Sequence, residues 1–363
     1  MINVTKAFLP PLAEYVKHLE GIWERCHLTN HGPLVNELEV KLQKYLGVKH
    51  FFFVNNGTIA LQIAIKALNV TGEVITTPFS YVATTSSIVW ENATPVFADI
   101  DPITFTIDPS RIEAAITPAT TAILATHVFG IPCNVEAIEK IAQKHKLKVI
   151  YDAAHAFGVK YKGKSILNYG NVSTLSFHAT KLFHTVEGGA IITDDDDLAH
   201  RIGYMRNFGH KGQEEFWGLG VNGKNSEFHA AMGLCMLPRV NEIIEARRQA
   251  HKIYSTCLDV LKLQTGKQLP DVEWNFSYYP IVFDSERTLM AVRDALNALY
   301  IYPRRYFFPS LSTLNYVAPG NTPIANDISC RILCLPLYFD LSEEDITRIC
   351  DIIKNIIKYS KPA

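Results

Sequence analysis

The sequence predicts an α/β fold in which a large domain over residues 1–238, built on a mainly parallel seven-stranded sheet, precedes a smaller α+β domain over residues 239–363. Three observations carry this. Seven short apolar runs alternate with helical patterns along the first two thirds of the chain, the order expected of a parallel sheet with helical crossovers. Several of those runs are continuously apolar rather than alternating, as strands covered on both faces are. After Pro238 the texture changes to one long charged helical pattern and then to shorter segments rich in Tyr, Phe and Pro.

The seven runs are 51–54, 73–76, 95–98, 122–126, 148–151, 172–177 and 190–193. Leu34, Leu38, Leu42 and Tyr45 recur at helical spacing, with Gly47 as the C-terminal stop. A second helix begins after Asn56-Gly57 and carries Leu61, Ile65 and Leu68 on one face. The long helix of the smaller domain covers 240–263, and strands are expected at 282–283 and 333–337. The acidic run 194–197 reads as a solvated helix start that complements the positive end of the helix dipole.

Composition narrows the function. The 363 residues are 48% apolar and 20% charged, with a formal net charge of -1. That balance supports a large core and offers no basic excess for a nucleic-acid backbone. No run is long enough to cross a bilayer, and Met1 to Pro11 lacks the apolar region of a secretion signal. Seven cysteines form no CxxC pair and no Cys/His metal spacing, so reduced thiols, no metal and a cytoplasmic setting are expected.

Three segments carry chemistry. The first is Ser176-Phe177-His178-Ala179-Thr180-Lys181, followed by Glu187-Gly188-Gly189. A lone lysine is most often a surface charge. This one follows a strand, sits among small and hydroxyl residues, and precedes a glycine pair that permits close backbone approach. A lysine that attacks a carbonyl must be partly desolvated so that its amine is available near neutral pH. The second segment is Tyr151-Asp152-Ala153-Ala154-His155, with Asp152 at the C-terminal end of a buried strand, where open α/β sheets bind ligands. Taken alone, Asp152 would serve equally as a helix cap. The third is Asn55-Asn56-Gly57-Thr58, a small-residue turn opening a helix whose free N–H groups and dipole suit an anion. It has neither a Walker lysine nor a GxGxxG fingerprint.

In this order and spacing the segments resemble the fold-type-I enzymes that use pyridoxal 5'-phosphate (PLP), specifically the DegT-type sugar-nucleotide aminotransferases. Further matching pieces are Gly32-Pro33, Thr77-Pro78-Phe79-Ser80-Tyr81, and the stretch Gly220-Val221-Asn222-Gly223-Lys224-Asn225-Ser226-Glu227 leading to Ala230-Ala231-Met232-Gly233. The resemblance covers nearly the whole chain. It implies that Lys181 binds the cofactor covalently and moves the proton between substrate and cofactor, while Asp152 pairs with the pyridine nitrogen. It gives the phosphate to Gly57, Thr58 and Ser176, and ring stacking to Tyr81. The family often has Gln where His155 stands, contacting the cofactor's phenolic oxygen. Asn222 matches an asparagine that reaches the neighbouring subunit's phosphate, which implies a homodimer with shared active sites. Lys224-Asn225 departs from the family's basic-then-apolar pair.

The resemblance also implies the substrates. Residues 180–187, 223–229 and 304–309 are similar to those of enzymes acting on dTDP-linked 6-deoxy-keto-hexoses. The implied reaction converts dTDP-4-keto-6-deoxyglucose to the 4-amino-4,6-dideoxy sugar with glutamate as donor; a 3-keto isomer is the alternative. His178, Glu187, Arg304, Arg305 and Tyr306 are the candidate substrate contacts, the arginines offering two guanidinium forks to a diphosphate. Other readings are a sugar dehydratase, which has His in place of the lysine, a PLP-binding regulatory protein, and an amino-acid enzyme using Arg304 or Arg305 for a carboxylate.

Overall fold

A computed structural model describes residues 1–360 of the chain. The main sheet contains β1 (His50–Val54), β2 (Glu73–Thr76), β3 (Thr94–Phe97), β4 (Thr120–Thr126), β5 (Lys148–Asp152), β6 (Val172–Ser176) and β7 (Gly189–Thr193). Their spatial order is β1-β7-β6-β5-β4-β2-β3. All neighbours pair in parallel except β7, which is antiparallel to β1 and β6. This is the seven-stranded, mainly parallel α/β sheet that the apolar runs predict.

The continuous apolar runs have a direct cause. Along β4, Ile123 and Ala125 enter one core while Ala122 and Leu124 enter another on the opposite face. Side chains alternate between faces, so a strand covered on both sides must be apolar at every position. The C-terminal ends of β4, β5 and β6 lie side by side, pairing Thr126 with Asp152 and Asp152 with Thr174. The functional side chains gather along this edge.

The smaller domain has its own core, including Tyr254, Leu289, Leu333 and Ile349, around the antiparallel pair Tyr279–Val282 and Ile332–Leu335. Two details differ from the sequence reading. The first strand, Ile2–Asn3, pairs in parallel with Ile301–Tyr302 and Ile2 enters the small core, so the chain's start packs with the second domain. The helix Val240–Leu258 then crosses the boundary, giving Val240 and Ile243 to the large core and Tyr254 and Leu258 to the small one. It ends before 263 because a 3-10 turn follows and Lys262 adopts a left-handed conformation at φ 49. The acidic run does start a helix: Asp195 Oδ1 accepts from the Leu198 N–H at 2.9 Å, ahead of Asp196–Met205. Among the described residues no helix is long and apolar enough to cross a membrane, and all seven cysteines are free.

Candidate active site

A cavity of about 360 Å³ opens along the C-terminal edge of the sheet, a volume within the range of small-molecule sites. Lys181, Asp152, His155, Ser176, Gly57, Thr58, Tyr81, His178, Glu187, Arg304 and Tyr306 all line it. The segments picked out in the sequence, far apart along the chain, therefore meet in one place.

The helix Gly57–Ala67 points its N-terminus into the cavity. The Asn56 side chain caps it by accepting from the Ile59 N–H at 2.8 Å. The first amides of any helix lack intrahelical partners, so Gly57 and Thr58 present an anion cradle beside the Ser176 hydroxyl. Two glycines make this approach possible. A Cβ on Gly57 would come within 3.0 Å of Ser176 Cβ, and one on Gly189 would lie 2.5 Å from the Asn56 carbonyl carbon. Gly189 thus lets strand β7 pass close against the anion loop.

Lys181 follows β6 in a tight turn, its N–H donating to the His178 carbonyl at 2.8 Å. Burial holds its amine below the ordinary lysine range, while Asp152, Tyr306 and Tyr81 act in the opposite direction. Burial likewise pushes the Asp152 carboxyl up; the Thr84 hydroxyl, the Ala154 N–H and Lys181 oppose that shift. An uncharged amine is the nucleophilic form. A buried carboxylate in such a place calls for a cationic partner, and a protonated pyridine nitrogen is one.

His155 is fixed in both orientation and tautomer. Its Nδ1 accepts from the Phe129 N–H at 3.2 Å, so the neutral ring carries its proton on Nε2. Phe307 stacks on the imidazole at 5.7 Å and 3°, and Tyr278 meets it edge-on at 4.8 Å. Burial drives the imidazole pKa well below its usual value. The neutral side chain therefore offers its Nε2–H as a hydrogen-bond donor.

The rim is more open. Tyr81 is 60% exposed at the start of the helix Val82–Trp90. His178 Nε2 lies 3.6 Å from Glu187 Oε1, and both side chains are about half exposed. Arg304 lies over Tyr306 with its guanidinium carbon 6.0 Å from the ring centroid.

Two expected residues stand elsewhere. Arg305, expected beside Arg304 on the substrate, is not part of the cavity. Its guanidinium donates to Glu286 at 2.6 Å and to the Cys330 carbonyl at 2.9 Å, and it covers the Phe308 ring at 3.6 Å. The chain is extended here, with Arg304 bridged to Cys334, so adjacent side chains point to opposite faces. Only one of the two arginines can face the site. Asn222 lies exposed outside its own chain's cavity, its Oδ1 accepting from Lys224 Nζ at 2.9 Å.

The sequence reading missed several participants. Tyr278 of the small domain forms a wall of the cavity together with Phe307, which belongs to the run 304–309 already singled out. Three buried hydroxyls, Thr84, Ser80 and Thr126, connect in series to Asp152. Only Thr84 left a signal, as part of a polar run, Thr84-Thr85-Ser86-Ser87, inside an otherwise apolar helix.

Residues 13–354 match the DegT/DnrJ/EryC1/StrS aminotransferase family. The chain is 44% identical to a dTDP-4-amino-4,6-dideoxy-D-glucose transaminase of Shigella dysenteriae, over 98% of this chain and 99% of the relative. It is 42% identical to an Escherichia coli protein of the same name, over 97% and 98% of the two chains. The solved structure of DesI in the presence of its TDP-sugar product superposes with a TM-score of 0.92 at 34% identity, covering 98% of this chain and 92% of DesI. The chain belongs to the DegT/DnrJ/EryC1/StrS aminotransferase family.

Proposed function

We propose that this family member is a PLP-dependent transaminase that converts dTDP-4-keto-6-deoxyglucose to dTDP-4-amino-4,6-dideoxyglucose, with glutamate as the amino donor. The observation that carries the reading is the convergence of Lys181, Asp152 and the Gly57/Thr58/Ser176 anion cradle on one cavity, in a chain 44% and 42% identical to two transaminases of that name. The DesI superposition supports a TDP-sugar at the same site. A regulatory protein has no need of a desolvated lysine, and a dehydratase of the family type would carry His at position 181.

The residues fit PLP. Gly57, Thr58 and Ser176 would hold its phosphate, Asp152 its ring nitrogen, His155 its phenolic oxygen, Tyr81 its face and Lys181 its aldehyde carbon. When bound, PLP supplies an electron sink for the carbanion formed as the amino group changes carbons. The protein's own contribution is orientation and proton movement. Lys181 would carry the proton at its amine between the two carbons, and burial, which lowers that amine's pKa from the ordinary lysine value, favours its basic form. His155 would donate from Nε2, and Asp152 would set its negative charge against the ring nitrogen. Tyr278, Phe307 and the stacked His155 exclude water from one side. Arg304 and the rim would receive the sugar diphosphate.

We read the active unit as a homodimer in which Asn222 of each subunit completes its neighbour's cradle; its exposed position outside its own cavity supports this. Free thiols support a reducing, cytoplasmic location. The test of the reaction is incubation with glutamate, PLP and either dTDP-4-keto-6-deoxyglucose or its 3-keto isomer, with products identified by mass and NMR. The 4-amino product is expected. Amination of the 3-keto sugar alone would overturn the assigned carbon, and amination of neither would overturn the substrate class.

A further inference from the structure

Behind Asp152 lies a line of three hydroxyl groups. Thr84 Oγ1 is 2.7 Å from Asp152 Oδ2, Ser80 Oγ is 2.7 Å from Thr84 Oγ1, and Thr126 Oγ1 is 3.1 Å from Ser80 Oγ. All four residues are buried; Thr84 is 0% and Ser80 2% exposed. Each comes from a different element: the helix Val82–Trp90, the loop before it, the end of β4 and the end of β5.

With Asp152 ionised, the direction of this line is forced. An ionised carboxylate only accepts, so Thr84 must donate to Asp152. A hydroxyl has one proton, so Thr84 must then accept from Ser80. Ser80, its own proton committed to Thr84, must accept from Thr126. Every dipole points the same way, and successive donors in a dry environment polarise one another. The other carboxylate oxygen, Oδ1, accepts from the Ala154 N–H at 3.1 Å. Each oxygen has two lone pairs and accepts one bond here, so each keeps capacity for one further donor.

We propose that Thr84, Ser80 and Thr126 are positioning residues whose hydroxyls form a one-way chain of donors that holds Asp152 ionised and in one rotamer, ready for the cofactor's ring nitrogen. The inference rests on the PLP reading of the cavity. Burial alone pushes this carboxyl toward its neutral form, and the Thr84 hydrogen bond is the largest of the groups opposing that push. A neutral Asp152 would have no charge with which to keep the ring nitrogen protonated. The chain does a second thing. Ser80 is covalently next to Tyr81, so the same hydroxyls anchor the start of the segment that supplies the stacking ring.

The experiment compares two ligands on the apoprotein: PLP, and its carbocyclic analogue in which the ring nitrogen is replaced by C–H. Both carry the same aldehyde and phosphate, and only PLP can use Asp152. Hydrogen bonds to charged groups are worth about 1.5–3 kcal/mol, so Thr84→Val should weaken PLP binding at least about tenfold and leave the analogue within about twofold. Thr84→Ser, which keeps the hydroxyl, should restore PLP binding. Thr126→Val, at the far end, should cost PLP only about twofold to threefold, because a distant donor acts through polarisation alone. Circular dichroism establishes that each variant is folded; should Thr84→Val not fold, Ser80→Ala takes its place, with an expected loss between those of the other two. Equal losses for both ligands would reduce the chain to packing and overturn the proposal, as would PLP binding unchanged in Thr84→Val. Wild-type protein that binds neither ligand would sink the cofactor reading itself. That result is distinct, because it appears before any variant is made.

Discussion

The floor of the cavity and its rim are built on opposite terms. On the floor, Asp152, His155 and the turn bearing Lys181 are held in place by hydrogen bonds within the same chain. His155 alone is held by the Phe129 N–H, by the stacked Phe307 ring, and by Asn275 Nδ2 and Ser277 Oγ, which donate to its carbonyl at 2.8 and 2.7 Å. On the rim, Tyr81, His178, Glu187 and Arg304 are all exposed, and the one ion pair among them is a long contact of 3.6 Å. A site that runs one chemical step on a family of related sugars needs its reacting groups fixed within fractions of an ångström, while its outer contacts can be re-tailored. The floor therefore determines the reaction and the rim determines the sugar. That division can be tested by substituting on each side of it.

The largest effect is expected at the floor's reacting group. Lys181→Ala should abolish the visible absorption band of PLP-loaded protein and lower turnover by about four orders of magnitude, the upper end of what a positioned acid–base group contributes. The same variant tests the shared site. Mixed with Asn222→Ala subunits, it should recover part of the lost activity if each cradle is completed by the neighbour's Asn222. No recovery, with subunit exchange demonstrated and a strong defect in Asn222→Ala, would make each site self-contained. A coloured Lys181→Ala protein that borohydride bleaches, with the cofactor then fixed covalently to the chain, would move the covalent link elsewhere.

A second comparison isolates the rim using two adjacent residues of the same type. Arg304 faces the cavity and Arg305 faces the small domain. Arg304→Ala should raise KM for the dTDP-sugar about tenfold with little change in kcat, as expected for one exposed charge-assisted contact made equally in ground and transition states. Arg305→Ala should leave KM unchanged and lower thermal stability, by about 2–4 °C for each kcal/mol lost. If Arg305→Ala raised KM as strongly as Arg304→Ala, the orientation of this strand would be wrong.

These arginines show where reading the sequence stops. The sheet was legible because burial on both faces forces a continuous apolar run, a signal that survives without knowledge of tertiary contacts. Lys181, Asp152, Gly57 and Ser176 were legible as candidates because strand ends and small-residue turns mark the ligand edge of such a sheet, and their expected roles came from the order and spacing that resemble the family. Arg304 and Arg305 were indistinguishable, since residue type does not reveal the phase of an extended segment. Thr84, Ser80 and Thr126 were hidden for another reason: each hydroxyl looks like an ordinary cap or helix residue until folding aligns three elements. Tyr278 and Phe307 reach the site only through the docking of the second domain, which no local pattern encodes.

The smallest expected effect is at His155, and there a near-silent substitution is the informative result. A neutral imidazole in this setting uses one nitrogen as acceptor, toward the Phe129 N–H, and the other as donor, toward the cavity. A glutamine side chain offers the same pair, an amide oxygen and an amide N–H. His155→Gln should therefore hold kcat/KM within about threefold, a difference below 1 kcal/mol, whereas His155→Leu removes both bonds and should lose far more. Acidity separates the two natural chemistries. The folded state keeps His155 neutral well below its usual pKa, so the unfolded chain binds the proton first. This residue's contribution to stability is therefore complete above about pH 6.5 and declines below it, by about 1.4 kcal/mol per pH unit. Glutamine has no such titration, so between pH 6.5 and 5 the variant should lose stability less steeply than wild type while its activity profile stays the same shape. A wild-type profile with an inflection that His155→Gln abolishes would mean that the imidazole takes up a proton during turnover, and the floor would then be less rigid than its hydrogen bonds imply.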